Sequence, residues 1–211
     1  SACKTIDSIS LSKLIKKVNV VLCLGKQERL ITNICFDSRK VKTNDLFIAI
    51  KGVSSNGHDF IQQAIDHGAS VIICENQPDN LINSVTYITV KDTSHTLSII
   101  SSNLYDNPSS KIKLVGITGT NGKTTIVNLL YQIFTRCGFK VGVISTIENK
   151  IGDLTIDSTH TTPNPLQINN LLSQMVTEQC CFCFMEVSSH AVVQKRISFL
   201  EFDAGVFSNI T

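Results

Sequence analysis

No apolar run among the 211 residues approaches the roughly 20 that a membrane-spanning helix needs. Ser1–Asp7 carries no secretory leader either. Both absences point away from a membrane and toward a cytoplasmic protein. Paired C-x₂-C spacing is missing, which removes the common zinc-binding arrangements. The eight cysteines, at positions 3, 23, 35, 74, 137, 180, 181 and 183, mostly lie in apolar, strand-like runs. They are expected to be buried, reduced thiols, with Cys181 and Cys183 on one face of a strand. Neither sign of charge dominates: 19 Lys and Arg stand against 17 Asp and Glu, and the basic residues are scattered. A nucleic-acid surface is therefore not indicated. There is no internal repeat and no low-complexity tract. What is present is apolar. The chain is 42% hydrophobic and 17% charged, enough to bury a core, and its length suits two domains.

The most informative stretch is Leu114-Val115-Gly116-Ile117-Thr118-Gly119-Thr120-Asn121-Gly122-Lys123-Thr124-Thr125. The apolar run Ile112–Ile117 predicts a buried strand, and Ile126 onward predicts a helix. A glycine turn between them lets successive N–H groups point inward at an anion. The helix start adds partial positive charge. Lys123 supplies a full charge for β- and γ-phosphates, and the hydroxyl of Thr124 or Thr125 can sit on Mg²⁺. The usual spacing G-x-x-x-x-G-K-[ST] wants glycine where this chain has Ile117, so the loop is a shorter form, Gly119-Thr120-Asn121-Gly122-Lys123-Thr124.

Ahead of that loop, helices are expected at Ser10–Lys17, Phe60–His67 and Leu97–Tyr105, the second ended by Gly68. Strands are expected at Ile31–Phe36, Leu46–Ile50, Ser70–Cys74 and Thr86–Val90. Asn107-Pro108-Ser109-Ser110 is the expected linker. Beyond it the pattern becomes strand–helix–strand, which implies a parallel right-handed crossover. A strand is expected at Lys140–Thr146, a hairpin at Glu148–Ser158, a helix at Pro165–Glu178, and strands at Phe182–Val187 and Asp203–Phe207. The fold class is therefore α/β. A small N-terminal α/β domain, residues 1–110, precedes a P-loop ATPase domain, residues 111–211, with a mainly parallel sheet and flanking helices. Ligands in such sheets bind at the carboxyl ends of strands, where Thr118–Thr125, Thr161–Thr162 and Glu186–His190 can converge.

Glu186 ends an apolar strand and is placed to hold Mg²⁺, unless it is a plain strand-end surface residue. His190 is a polar contact or a structural histidine. His160-Thr161-Thr162-Pro163-Asn164-Pro165 is either a stiff binding loop or a helix lead-in with an Asn or Thr cap. Arg196 either forks onto a carboxylate or phosphate, or is a solvated charge. In the first domain, Asp37-Ser38-Arg39 and Val53-Ser54-Ser55 through Asp59 are, by their residues alone, turns and caps.

Taken together, these motifs resemble one family. Thr118–Thr125 is similar to the ATP loop of the Mur ligases, which form amide bonds at the expense of ATP in peptidoglycan precursor assembly, and its short spacing is that family's. Asp37-Ser38-Arg39, Asp45-Leu46-Phe47-Ile48-Ala49 and Gly57-His58-Asp59-Phe60-Ile61 resemble the N-terminal domain shared by the MurE and MurF types. His160–Pro163 and Met185–His190, with Gln194 and Arg196, resemble the MurE type. The alternatives are a MurF-type ligase, or a nucleotide-binding module without ligase chemistry, which would need a switch segment that the chain lacks.

The resemblance implies addition of a diamino acid, diaminopimelate or lysine, to the D-glutamate of UDP-N-acetylmuramoyl-L-alanyl-D-glutamate through an acyl phosphate. It implies that Ser38, Val53, Ser54 and Ser55 hold the uridine-diphosphate end of that substrate. Thr161, Thr162, Ser188, Gln194 and Arg196 would hold the muramoyl-dipeptide. Gly119, Thr120, Asn121, Gly122, Lys123, Thr124 and Thr125 would hold ATP, and Thr124 and Glu186 would place Mg²⁺. Lys123 and Glu186 would be the catalytic pair. A monomer is expected, with no nucleic-acid or membrane partner. Full-length members of that type continue into a domain that recognises the amino acid, so the ATPase domain is expected to be incomplete and the chain an inactive fragment.

Overall fold

The computed structural model describes residues 8–52, 55–158 and 163–209. The chain divides into two compact units, Ser1–Leu104 and Tyr105–Thr211.

The first unit opens with β1 (Ile9–Ser10) and α1 (Leu11–Leu14). The Ser10 hydroxyl caps this short helix, whose Leu11 and Leu14 are buried. Then follow β2 (Val20–Leu24), β3 (Leu30–Ile31), β4 (Ile34–Cys35), β5 (Leu46–Ile48), α2 (Ile61–Asp66), β6 (Val71–Cys74), β7 (Thr86–Val90) and α3 (Thr93–Leu104). The five-stranded sheet runs β2-β7-β6-β5-β4. Its last four strands are mutually parallel, while β2 lies antiparallel at the edge. All four residues of β6 are buried, as expected for a parallel strand covered on both faces.

Three expectations change here. The run Ile31–Phe36 splits, because β3 pairs with β1 and β4 pairs with β5. The buried Asp45 carboxylate stabilises the break by accepting the Thr32 hydroxyl and the Lys42 N–H, both at 2.8 Å. The last helix begins at Thr93 and not at Leu97, because Asp92 takes the His95 N–H at its start and Thr96 turns its hydroxyl back onto the Asp92 carbonyl. Sequence patterning also overlooked β2. Gly68 closes the helical stretch at φ +110°, where a Cβ would press on the Thr43 backbone.

The second unit begins with a 3₁₀ turn, Pro108–Lys111. The expected linker is thus folded: Ser109 is buried, and its hydroxyl accepts the Glu201 N–H at 3.1 Å. Next come β8 (Lys113–Thr118), α4 (Lys123–Arg136), β9 (Val141–Ile144), β10 (Glu148–Ile151), β11 (Leu154–Asp157), α5 (Pro165–Thr177), β12 (Phe182–Glu186), α6 (Ser189–Val193) and β13 (Ala204–Phe207). The six-stranded sheet runs β11-β10-β9-β12-β8-β13, with β9, β12, β8 and β13 parallel. The predicted hairpin extends this sheet through an antiparallel pairing of β10 with β9.

Side chains alternate across the central strands with period two. Phe184 joins Ile117, Val127, Val141 and Val143 under α4, while Cys183 and Met185 join Ile168, Leu172 and Met175 under α5. Phe134 of α4 meets Phe182 and Phe184 edge-on, with ring centroids 4.8 and 5.1 Å apart. Gly142 lets α5 approach, since a Cβ there would collide with the Met175 sulfur.

The thiols follow the strands only in part. Cys35, Cys74, Cys180 and Cys183 are buried and free, whereas Cys137 and Cys181 are exposed. Cys181 precedes β12 and so does not share a strand face with Cys183. Burial, reinforced by the Asp45 carboxylate, pushes the Cys35 thiol up to about 12.

Candidate functional site

At the carboxyl end of β8 the chain enters the glycine turn. Gly119 and Gly122 take φ of +135° and +82°, so both need the freedom of glycine. Gly122 caps α4 without any side-chain hydrogen bond, which leaves the first-turn amides of Lys123, Thr124 and Thr125 at the mouth of the turn. The Lys123 ammonium folds back over the loop and donates to the carbonyls of Gly119 at 2.6 Å and Thr120 at 3.3 Å. Those contacts are local and half-exposed, so the ammonium can exchange a loop carbonyl for a phosphate oxygen. The Thr120 and Asn121 amides donate to the Asn209 side-chain oxygen at 3.0 and 3.3 Å.

Beside the loop, Glu186 ends β12 and is 7% exposed. Its Oε2 accepts the Thr146 hydroxyl at 3.2 Å, while Oε1 is buried with no hydrogen-bond partner among the described residues. A buried carboxylate oxygen without a partner is costly, and a ligand that supplies positive charge removes the cost. A cavity of about 20 Å³ lies here, lined by Glu186, Lys123, Ile144, Ser145, Thr146, Pro163 and Ser188. That space suits one small ion or water. Among the described residues no cluster of three or more His, Cys, Asp or Glu side chains forms a metal cage. One carboxylate, hydroxyls and substrate phosphates is instead the donor set that Mg²⁺ favours. Glu186 is therefore no ordinary strand-end surface residue.

The remaining predicted residues of this unit are spread over the segment after β12. Ser188 lines the cavity and caps α6 by accepting the Ala191 N–H at 3.2 Å. Gln194 is the C-cap of α6, Arg196 is half-buried two residues further on, and His190 is exposed. Thr124 and Thr125 sit in the first turn of α4 and are not among the cavity-lining residues. His160, Thr161 and Thr162 lie outside the described residues. Of the following loop, Asn164 is the N-cap of α5, in a reciprocal pair with Gln167.

In the first unit the candidate residues also follow strand ends. Asp37 caps a 3₁₀ turn, Ser38–Lys40, after β4, and the Arg39 guanidinium holds its carboxyl down at about 2. Ser38 is buried and donates its hydroxyl to Gln63 at 2.6 Å. Ser55 is exposed, and its carbonyl accepts the Gly52 N–H; Val53 and Ser54 lie outside the described residues. His58 is pinned between Asn56, 2.8 Å from Nδ1, and the Glu75 N–H, 2.9 Å from Nε2. Nε2 thus accepts, which assigns the proton of a neutral ring to Nδ1. Burial holds this imidazole below its ordinary pKa.

Sequence reading missed Ser145, Thr146, Ser208 and Asn209. A signal existed, because each pair directly follows a parallel strand, where ligand-binding residues of such sheets gather. No described helix is long and apolar enough to cross a membrane.

Residues 30–105 match the model of the Mur ligase family, catalytic domain, and residues 117–211 match the Mur ligase middle domain. The UDP-N-acetylmuramoyl-L-alanyl-D-glutamate–2,6-diaminopimelate ligase of Cytophaga hutchinsonii is 51% identical over 96% of this chain and 42% of its own length. The protein of the same name from Phocaeicola vulgatus is 46% identical with the same coverage. The chain thus spans 42% of the length of these curated relatives. Among solved structures, a protein of that name aligns with TM-score 0.76 at 22% identity, over 97% of this chain and 41% of that one. A MurF from Acinetobacter baumannii aligns with TM-score 0.58 at 20% identity, over 88% of this chain and 37% of that one. At those identities the structures speak for the fold alone.

Proposed function

Because the chain belongs to the Mur ligase family, we propose that it is part of an ATP-dependent amide ligase that joins 2,6-diaminopimelate to UDP-N-acetylmuramoyl-L-alanyl-D-glutamate. The observation that carries this reading is the pairing of an open phosphate loop, with Lys123 inside it, and the partnerless buried oxygen of Glu186 at one cavity. The names of the relatives support the choice of substrates.

In this proposal residues 111–211 bind ATP. Within the loop Gly119–Thr125, the amides at the start of α4 receive the phosphates, and Lys123 leaves its loop carbonyls to contact the transferring group. Glu186, with Thr124, would hold Mg²⁺, whose charge would offset that of the phosphoryl oxygens. The chemistry left to the protein is positioning and charge compensation for transfer of the γ-phosphoryl group from ATP to the D-glutamate carboxylate with release of ADP, and for attack of an amine on the acyl phosphate with loss of inorganic phosphate. Residues 1–110 bind the uridine-diphosphate end through Ser38, Val53, Ser54 and Ser55. Ser188, Gln194, Arg196, Thr161 and Thr162 bind the muramoyl-dipeptide.

The test is an assay on the full-length protein with ATP, Mg²⁺ and the UDP-muramoyl-dipeptide. Arms containing diaminopimelate, lysine or D-alanyl-D-alanine identify the amine. ADP release and ligated product with diaminopimelate are expected. ADP release that does not depend on the UDP substrate would overturn the ligase reading. Product only with D-alanyl-D-alanine, supplied with the tripeptide precursor, would move the chain to the MurF type.

A further inference from the structure

The phosphate loop is gripped from the side by two residues that belong to none of the motifs above. β13 runs parallel to β8 with Phe207 opposite Thr118, so the two residues after β13 fall beside the first residues of the loop. The Ser208 N–H closes onto the Thr118 carbonyl at 2.8 Å. The Ser208 hydroxyl donates to the Asn121 carbonyl at 2.6 Å. Asn209 Oδ1 then accepts two consecutive loop amides, those of Thr120 and Asn121. Gly119 is what permits this approach, since a Cβ at that position would fall on the Ser208 hydroxyl.

We propose that Asn209 is a positioning residue for the phosphate loop. Its carboxamide oxygen takes the two amides on the β13 side and thereby aims the free amides at the start of α4 toward a nucleotide phosphate. The inference rests on the nucleotide-binding reading above. A turn of successive N–H groups is held open only if its peptide planes are fixed, and Thr120, Asn121 and Gly122 are solvent-exposed with little packing to fix them. One oxygen shared by adjacent amides fixes both planes at once. Division of labour follows, because the α4 amides have no side-chain cap and remain available to the anion. The side chain is also neutral. A carboxylate would accept the same two bonds but would place negative charge beside the incoming phosphates.

The test compares Asn209→Ala, Asn209→Asp and Lys123→Ala in the full-length protein, with binding of ATP and of adenosine measured separately. Loss of two neutral hydrogen bonds predicts about 5- to 100-fold weaker ATP binding for Asn209→Ala. Adenosine binding should stay at the wild-type value, which general structural damage would not spare. Asn209→Asp should also weaken ATP binding, and more so at low salt, because charge repulsion replaces lost geometry. It decides the matter alone if the alanine variant fails to fold. Wild-type ATP affinity in both variants overturns the proposal, as does tighter ATP binding in Asn209→Ala, which would make Asn209 a plug. Absence of ATP binding in the wild-type protein, by contrast, would remove the nucleotide-binding reading itself, and unchanged ATP binding in Lys123→Ala would move the phosphates off this loop.

Discussion

Both units place their candidate residues after the carboxyl ends of parallel strands, yet they leave them in opposite states. In the first unit the polar groups are paired internally. Ser38 is committed to Gln63, and His58 to Asn56 and Glu75. In the second unit, among the described residues, Glu186 keeps an oxygen without a partner, and α4 opens without a side-chain cap. Unpaired buried groups lower stability and raise the gain from binding, whereas paired ones do the reverse. The difference lies in what each candidate site has left to offer: the second unit's is left unsatisfied by its own fold, and the groups of the first are already paired.

The strongest way to break this comparison is Lys123→Ala in the full-length protein. It should lower kcat/KM for ATP by at least about 10²–10³-fold, as for loss of one transition-state contact. The melting temperature should stay near that of the wild type, because the ammonium touches only loop carbonyls. Near-normal turnover would remove the charge from the mechanism.

Next in size is Glu186→Gln. Activity should fall by about 10–100-fold or more through weakened metal support. Stability should be unchanged or rise by up to about 1 kcal/mol in urea titrations, because a buried charge with incomplete pairing is gone. A clear loss of stability would show that the carboxylate serves the fold.

Ser38→Ala reverses that pattern. It should cost about 0.5–1.5 kcal/mol of stability by removing the bond to Gln63. The KM for the UDP substrate should rise while that for ATP stays unchanged. Equal shifts in both would argue against separate sites.

The smallest effect concerns His58. Above the ordinary histidine pKa of about 6.5, folded and unfolded chains both hold it neutral, and the first unit has its full stability. As pH falls through that value the unfolded chain takes the proton first, because burial holds the folded ring lower. Stability is then lost until the folded ring also protonates, at up to about 1.4 kcal/mol per pH unit. Glu75 and Asp59 oppose this shift and Lys51 adds to it, so the net slope is modest. The pH dependence of unfolding, compared between wild type and His58→Gln between pH 7.5 and 5.5, should be steeper in the wild type.

Much of this arrangement follows from local signals. Apolar runs bounded by Gly and Pro located β6, β7, β8, β12 and α5, and the glycine–lysine stretch located the turn at the start of α4. The failures share a cause. β2 owes its place to a pairing partner distant in sequence, β7. The split at Thr32 depends on Asp45 being buried, and the fold of Pro108–Lys111 depends on Glu201.

The positive φ of the glycine turn and the helix start at Lys123 belong to that stretch's own dozen residues, whereas its Thr120 and Asn121 amides are held from Asn209. Tertiary structure decided which groups around that turn stay unsatisfied. Whether Glu186 Oε1 finds a donor, and whether Asn209 reaches the Thr120 and Asn121 amides, is set by the register of β12 and β13 on β8. Strand register sums packing across the whole sheet, and no local pattern carries that sum.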